Sequence, residues 1–368
     1  MRIVHFSNNS LAGAPRLIVD ALNAHTPHHA RLVDARRYTA AERGWFGHDL
    51  VFSEDPEACL AEVEAADVLH LHNFLDLDSR DFAPLDFRAL ARRKLVLRQL
   101  HSLPALVASR MGRTEASVLD DGMPALVIAH YPERFHPRAR VVPNLVPLRD
   151  PRYTPRPEPP ELDVFFGPSK PDSAWENRWN TKGAPETAAL LADLHARLGL
   201  RVEQLTDVPR DVILARMAAS RLVLDDMANG SIHLSGLQGL SLGRAVAGWL
   251  DPRQQMVLRE LTGAPDLPWI NVRLEEAGPV LAALFADADE LAALGRASRA
   301  WMERWCDDAV LVGHFVRAYE DALADPTRLT RQPELALDTP LKRFVYVRLP
   351  ELAWAERGRR ARALAARA

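Results

Sequence analysis

Short apolar runs along this chain alternate with longer stretches in which apolar positions recur near every 3.6 residues, the pattern of strands alternating with amphipathic helices. The runs at 2–6, 31–33, 67–72, 94–100, 125–129 and 140–142 predict strands in the first part of the chain, and those at 162–166, 201–205, 221–224 and 244–249 predict strands in the second. Helical spacing covers 16–24, 57–65, 186–198, 211–219, 236–243, 280–294 and 295–305. Such alternation predicts parallel sheets with helices on both faces, an α/β fold.

A chain of 368 residues is long for one domain, so two domains of ordinary size are expected. The run PRYTPRPEPP, 151–160, has the composition of a semi-rigid linker. It divides the chain into a first domain at 1–150 and a second at 161–310, followed by helices and a basic tail at 311–368. That tail carries Lys342, Arg343, Arg348, Arg357, Arg359, Arg360, Arg362 and Arg367 against Glu351 and Glu356. With Trp354 and several leucines it suits peripheral contact with an anionic membrane, and a solvated terminal helix is the plain alternative.

The remaining composition narrows the class. Hydrophobic residues at 48% and charged residues at 26% fit a globular protein, and a net charge of −3 argues against coating nucleic acid. Cys59 and Cys306 have neither disulfide-framework nor metal spacing, which suits a reducing cytoplasm. MRIVHFSNNS lacks a signal peptide's basic start and long apolar run, and no segment has the roughly 18 apolar residues of a membrane span.

The chemistry concentrates in 221–249. A strand ends at Asp225 and Asp226, a polar loop carries Gly230, Ser231, His233 and Ser235, and the helix predicted from Gly236 points its free N–H groups back at that loop. Such an N-terminus attracts phosphate. In the first half, SNNSLAGAP contains no G-x-G-x-x-G, which removes the main support for a dinucleotide site. His70 and His72 share one face of a strand, with no third metal ligand apparent beside them. His101 and Ser102 stand at a strand's C-terminal end, where open α/β sheets place their chemistry.

GSIHLSGLQGLSLGRAV, 230–246, resembles the donor-sugar segment of GT-B glycosyltransferases, particularly the family 4-like group. The resemblance continues through about 300 residues in order. It includes Ala12-Gly13-Ala14, the histidine-rich ADVLHLHN, LRQLHS, PNLVP, GPS and the Lys182-Gly183 pair. It implies two Rossmann-like domains facing each other across a cleft, with a C-terminal helical extension, 311–368, whose closing helices and basic tail return toward the first domain. Residues carried over are His101 near the transferred sugar, Gly13 and Asn144 near the cleft, and Ser169 and Lys182 on the donor diphosphate. Asp225, Ser235, Gly236, Leu237 and Gln238 complete the donor set.

Three positions depart from the family pattern. Gln238 falls where a glutamate usually holds the nucleotide ribose; it keeps a carbonyl acceptor and loses the charge. Gly230 stands where many members have an acidic residue, and Leu145 replaces a glycine in PNLVP. Arg178 is a candidate replacement for the family's missing donor-loop arginine. The resemblance implies a retaining, metal-independent transferase without a cofactor, using a nucleotide-diphosphate sugar and a glycan, lipid-linked or protein acceptor. An inactive partner subunit with the same fold is the other reading. Among metal-dependent hydrolases no carboxylate and histidine cluster of ligand spacing offers support.

Overall fold

In the computed structural model, which describes residues 1–42, 46–168, 170–175 and 181–367, the apolar runs form two parallel sheets in two compact units. The first unit comprises Met1–Pro147 and Asp307–Ala336. Its strands are β1 (Arg2–Ser7), β2 (His29–Asp34), β3 (Leu50–Val51), β4 (Val68–His72), β5 (Leu95–Leu100), β6 (Ala125–Ile128) and β7 (Arg140–Val142). Among the described residues they lie in the order β3-β2-β1-β4-β5-β6-β7, every neighbouring pair parallel.

Alternation along the strands determines what each face holds. Val4 and Phe6 of β1 join Leu69 and Leu71 of β4 in an apolar core with Phe82 and Phe87. Phe6 meets Phe82 edge-on at 4.9 Å between centroids, the favoured aromatic geometry. The intervening residues, His5, His70 and His72, therefore share the opposite face, and the register sets His5 directly beside His70.

The second unit comprises Leu148–Cys306 and Leu337–Ala368. Its strands are β8 (Leu162–Phe166), β9 (Val202–Gln204), β10 (Ser220–Leu224), β11 (Ala245–Gly248) and β12 (Ile270–Asn271), in the order β12-β11-β10-β8-β9. Val164, Phe166, Leu222, Leu224 and Ala247 pack against the helix Ala184–Leu198 through Leu191 and Leu194. The helix Leu234–Ser241 starts two residues before the sequence pattern places it.

The structure revises several expectations. β3 and β12 are two-residue edge strands, too short to leave a periodic trace in the sequence. Within the proline-rich 151–160, Pro151–Tyr153 form a 3-10 turn, Tyr153 is buried, and Arg299 donates to its carbonyl at 3.0 Å. The helices expected at 280–294 and 295–305 are Leu274–Ala286 and Ala288–Trp305. The break falls at Asp287, whose carboxylate caps the amides of Asp289 and Glu290. Gly295 lies inside the second helix because a Cβ there would stand 2.5 Å from the Gly243 carbonyl oxygen.

The closing segment also divides. Residues 307–336 belong to the first unit, where Asp308 meets His25 at 2.9 Å and Arg140 meets Asp321 at 2.5 Å. The Gln332 amide accepts from Val141 and donates to the Ala139 carbonyl, along edge strand β7. Residues 337–368 belong to the second unit. There Trp354 donates to the Ala174 carbonyl at 3.0 Å, Gly358 lies against the Trp175 ring and Arg357 pairs with Glu275. The turn Phe344–Arg348 widens to a π-helix just before Pro350, whose ring has no N–H and crowds the carbonyl four residues back.

Gly295→Ala provides a test of the close approach between helix and strand. The added methyl is expected to cost about 1–3 kcal/mol through overpacking. Higher helix propensity returns roughly 1 kcal/mol. Urea unfolding should therefore give a lower midpoint than wild type.

Candidate functional site

In the second unit the carboxylates that end β10 organise the loop beyond it. Asp225, 1% exposed, accepts from the His233 amide at 3.0 Å and the Ser235 hydroxyl at 3.0 Å. Lys182, 2% exposed, lies 3.4 Å from Asp225; it also donates to Ser235 and, at 3.3 Å, to the Gly167 carbonyl. A buried ammonium needs such partners, because desolvating it alone is costly.

Local backbone explains how Lys182 reaches inward. Lys182 and Gly183 both adopt left-handed φ, at +53° and +56°, immediately before the helix Ala184–Leu198. The Gly183 amide is held by the Thr181 hydroxyl at 3.0 Å, and the Thr187 hydroxyl donates to the Lys182 carbonyl at 3.2 Å. The turn is therefore fixed on both sides of the lysine.

The helix Leu234–Ser241 begins over Asp225. A Cβ on Gly236 would stand 2.3 Å from Asp225 Oδ2, so glycine is what lets the helix start approach the carboxylate. Among the described residues the amides of Leu234 and Ser235 have no acceptor, and they leave a positive dipole end beside Lys182. Leu237 is buried in the core, and Gln238 is buried with its side chain toward the Tyr153 hydroxyl.

Asp226 is a separate support. Its carboxylate accepts from the amides of Ala228 and Asn229, the Asn229 side chain, and His233 Nε2 at 3.1 Å. Burial is the largest single influence and favours the neutral acid, but the His233 contact and the two amides together hold the carboxyl below its ordinary value. Sequence reasoning treated Asp225 and Asp226 as a pair; the structure gives the first to the lysine and the second to the loop.

In the first unit, Gly13, His101 and Asn144 follow β1, β5 and β7, and so lie along the C-terminal edge of one parallel sheet. Gly13 has φ +82° and is covered by Phe46. The Asn144 amide meets His130 Nε2. The amide of His101 donates to Asn73 Oδ1 at 3.0 Å, and the Asn73 side chain donates to the Ser102 hydroxyl at 3.1 Å. Arg98, 1% exposed, clamps the Asn73 carbonyl through Nε and Nη2 and pairs with Asp121 at 2.9 Å. Ser169 and Arg178 lie outside the described residues.

Behind His101 stand His72, His5 and His70, fully buried. Burial first, and neighbouring imidazoles second, push these three well below the ordinary imidazole value; burial takes His101 down to about 3. His5 is the third imidazole that the sequence left hidden, and its cue was the β1–β4 register. Ligand nitrogens of His5, His70 and His72 lie within 4.8 Å of one another. His70 lies over His72 at 4.4 Å and 15°, His5 is tilted 32° from His70, and the His5 and His72 rings are 5.3 Å apart at 22°.

The Asp226 contacts have a sign that pH tests. A carboxyl whose folded value is depressed adds stability above its unfolded value, about 4, and loses it as pH falls through the folded value. Wild-type Tm should fall on acidification through this range, and Asp226→Asn should start lower near neutral pH and show a flatter acid limb.

Comparison with known proteins yields matches among solved structures, whereas no protein-family model and no curated protein sequence matches the chain. Sucrose-phosphate synthase from Thermosynechococcus elongatus is similar at 13% identity and TM-score 0.52, over 88% of this chain and 99% of that one. HepE from Anabaena, in complex with UDP and glucose, gives 14% identity and TM-score 0.56, over 87% of this chain and 100% of that one. A glycosyltransferase from Rickettsia africae gives 12% identity and TM-score 0.50, over 88% and 98%. With its two parallel α/β sheets and C-terminal helices, the chain has the GT-B fold of two Rossmann-like units.

Proposed function

We propose that the protein is a glycosyltransferase that moves a sugar, of hexosyl type, from a nucleotide-diphosphate donor to a glycan, lipid-linked or protein acceptor. The observation that carries this reading is Lys182, buried beside the open amides of Leu234 and Ser235. As the glycosidic bond breaks, negative charge accumulates on the departing diphosphate, and a preorganised ammonium beside a helix N-terminus stabilises that charge. Asp225 holds Lys182 in place until an anion competes for it. The UDP and glucose in the Anabaena HepE structure support the same donor class here. Retention of configuration, independence from a metal and a cytoplasmic location belong to this proposal.

A second reading, an inactive subunit that keeps a nucleotide site, is favoured by Gln238 and Gly230 at positions where the resembled family carries acids. Calorimetric titration with UDP, GDP, CDP and ADP, followed by sugar-nucleotide hydrolysis and transfer assays, separates the two. One nucleotide should bind and should weaken about 10- to 100-fold in Lys182→Ala, the range of a lost charge-assisted hydrogen bond. Binding without turnover would favour the subunit reading, and no binding by any nucleotide would overturn the donor site.

The proposal extends to peripheral membrane contact through the tail. Leu341, Phe344, Val345, Leu349 and Leu352 are exposed at helical spacing, with Arg343 and Arg348 exposed beside them. Such a face suits an interface of acyl chains and anionic headgroups. No helix among the described residues is long and apolar enough to cross a membrane. The protein should float with phosphatidylglycerol vesicles and not with phosphatidylcholine vesicles, and Phe344→Glu with Leu349→Glu should abolish flotation. Wild type that stays at the bottom of the gradient with both would remove the membrane from the proposal.

A further inference from the structure

The stacked histidines of the first unit form a directed chain. His5 Nδ1 lies 3.0 Å from His72 Nε2, and His72 Nδ1 lies 3.1 Å from His101 Nε2. The far nitrogen of His5, Nε2, is buried without a partner. At the other end, Nδ1 of His101 has no protein partner among the described residues. His70 stands outside the chain: its Nδ1 meets the Tyr319 hydroxyl at 2.9 Å, and its ring lies against those of both His5 and His72, 4.4 Å from each.

A neutral imidazole has one N–H and one bare nitrogen, so three linked imidazoles have only two self-consistent arrangements. In one, every N–H points toward His5, and the chain ends in a buried N–H on His5 Nε2 with nothing to receive it. In the other, every N–H points toward His101, and the unpartnered atom at the buried end is only a lone pair. Orphaned buried N–H groups are the rarer and more costly case, so the second arrangement is favoured. Both hydrogen bonds then run outward, from His5 through His72 to His101 Nε2. The proton of His101 is left on Nδ1, the atom at the free end.

We propose that His5 and His72 are positioning residues whose hydrogen-bond chain locks His101 as the Nδ1–H tautomer, so that it presents a neutral donor to a hydroxyl oxygen of a bound carbohydrate. The backbone clamp from Arg98 through Asn73 holds the His101 main chain, and the imidazole chain sets which ring nitrogen carries its proton. Reversing that choice requires both upstream protons to move and strands an N–H on His5. The tautomer is thereby tied to a residue on β1, two strands away from the one that delivers His101. The role of the carbohydrate rests on the glycosyl-transfer reading; the tautomer itself does not.

Histidine-selective 15N labelling and long-range proton–nitrogen correlation at neutral pH read each ring directly, with His101→Gln assigning the His101 signals. The expected wild-type spectrum has His101 protonated on Nδ1 and bare at Nε2. His72→Phe removes the link while filling the space, and should shift His101 toward the Nε2–H form that free imidazole side chains favour. His5→Phe, which leaves the His72–His101 contact in place, should shift it less. Amide spectra of each variant report whether the fold is kept, and the wild-type measurement needs no variant. His101 found as Nε2–H in wild type, or unchanged as Nδ1–H in a folded His72→Phe protein, overturns the proposal. Loss of nucleotide binding with the Nδ1–H tautomer intact would count against the glycosyl-transfer reading alone.

Discussion

A carboxylate sealed from water at the end of a strand must be surrounded by donors, and the second unit is arranged around that requirement at Asp225. Its partners come from distant parts of the sequence: Lys182 from the turn before one helix, and His233 and Ser235 from the loop that opens the next. Removing any one would leave charge or dipole buried without compensation, so the loops are held in one geometry before any ligand arrives. The same demand explains Gly236, since a larger residue would separate the helix start from the carboxylate. What looks like a binding site is first a solution to burying a charge.

The first unit solves a related problem with neutral groups. Its sheet carries imidazoles where a core would ordinarily have aliphatic side chains, and burial keeps them uncharged. His5, His72 and His101 are linked in sequence, and a buried cation near them, Arg98, is paired with Asp121 and donates to the Asn73 carbonyl. A buried cation is thus paired with a carboxylate in each unit, Arg98 with Asp121 and Lys182 with Asp225, and uncharged polar groups carry the organisation at the edge where His101 stands.

Sequence patterning was a good guide to the parts governed by local periodicity. The central strands β1, β4, β5, β8 and β10 leave clear apolar runs, and strand alternation with helices made the parallel topology readable. It failed where long-range packing decides. Gly295 reads as a helix boundary, yet it is a packing contact against Gly243; the proline-rich 151–160 reads as a spacer, yet Tyr153 draws it into the second unit. In the site, the resemblance gathers Lys182, Asp225 and Ser235 around one donor, while the direct pairing of the lysine with Asp225 has no signal in the sequence. His5 was invisible because its meaning lies in register with another strand, information that a single run of sequence does not contain. Tyr319, legible only as a packing residue, also supplies a hydroxyl to His70.

The Gln332 side chain, with one donor and one acceptor directed at the backbone of β7 and its approach, imitates the next strand of a sheet that has none. That residue and Tyr319 both follow the whole Leu148–Cys306 segment of the second unit. During synthesis the N-terminal sheet therefore emerges first and is completed only after the strands of the second unit have been made. Its open edge and its buried imidazoles wait for a segment made only after most of the other unit has left the ribosome, so vectorial folding from the N-terminus cannot finish this protein in the order in which it is written.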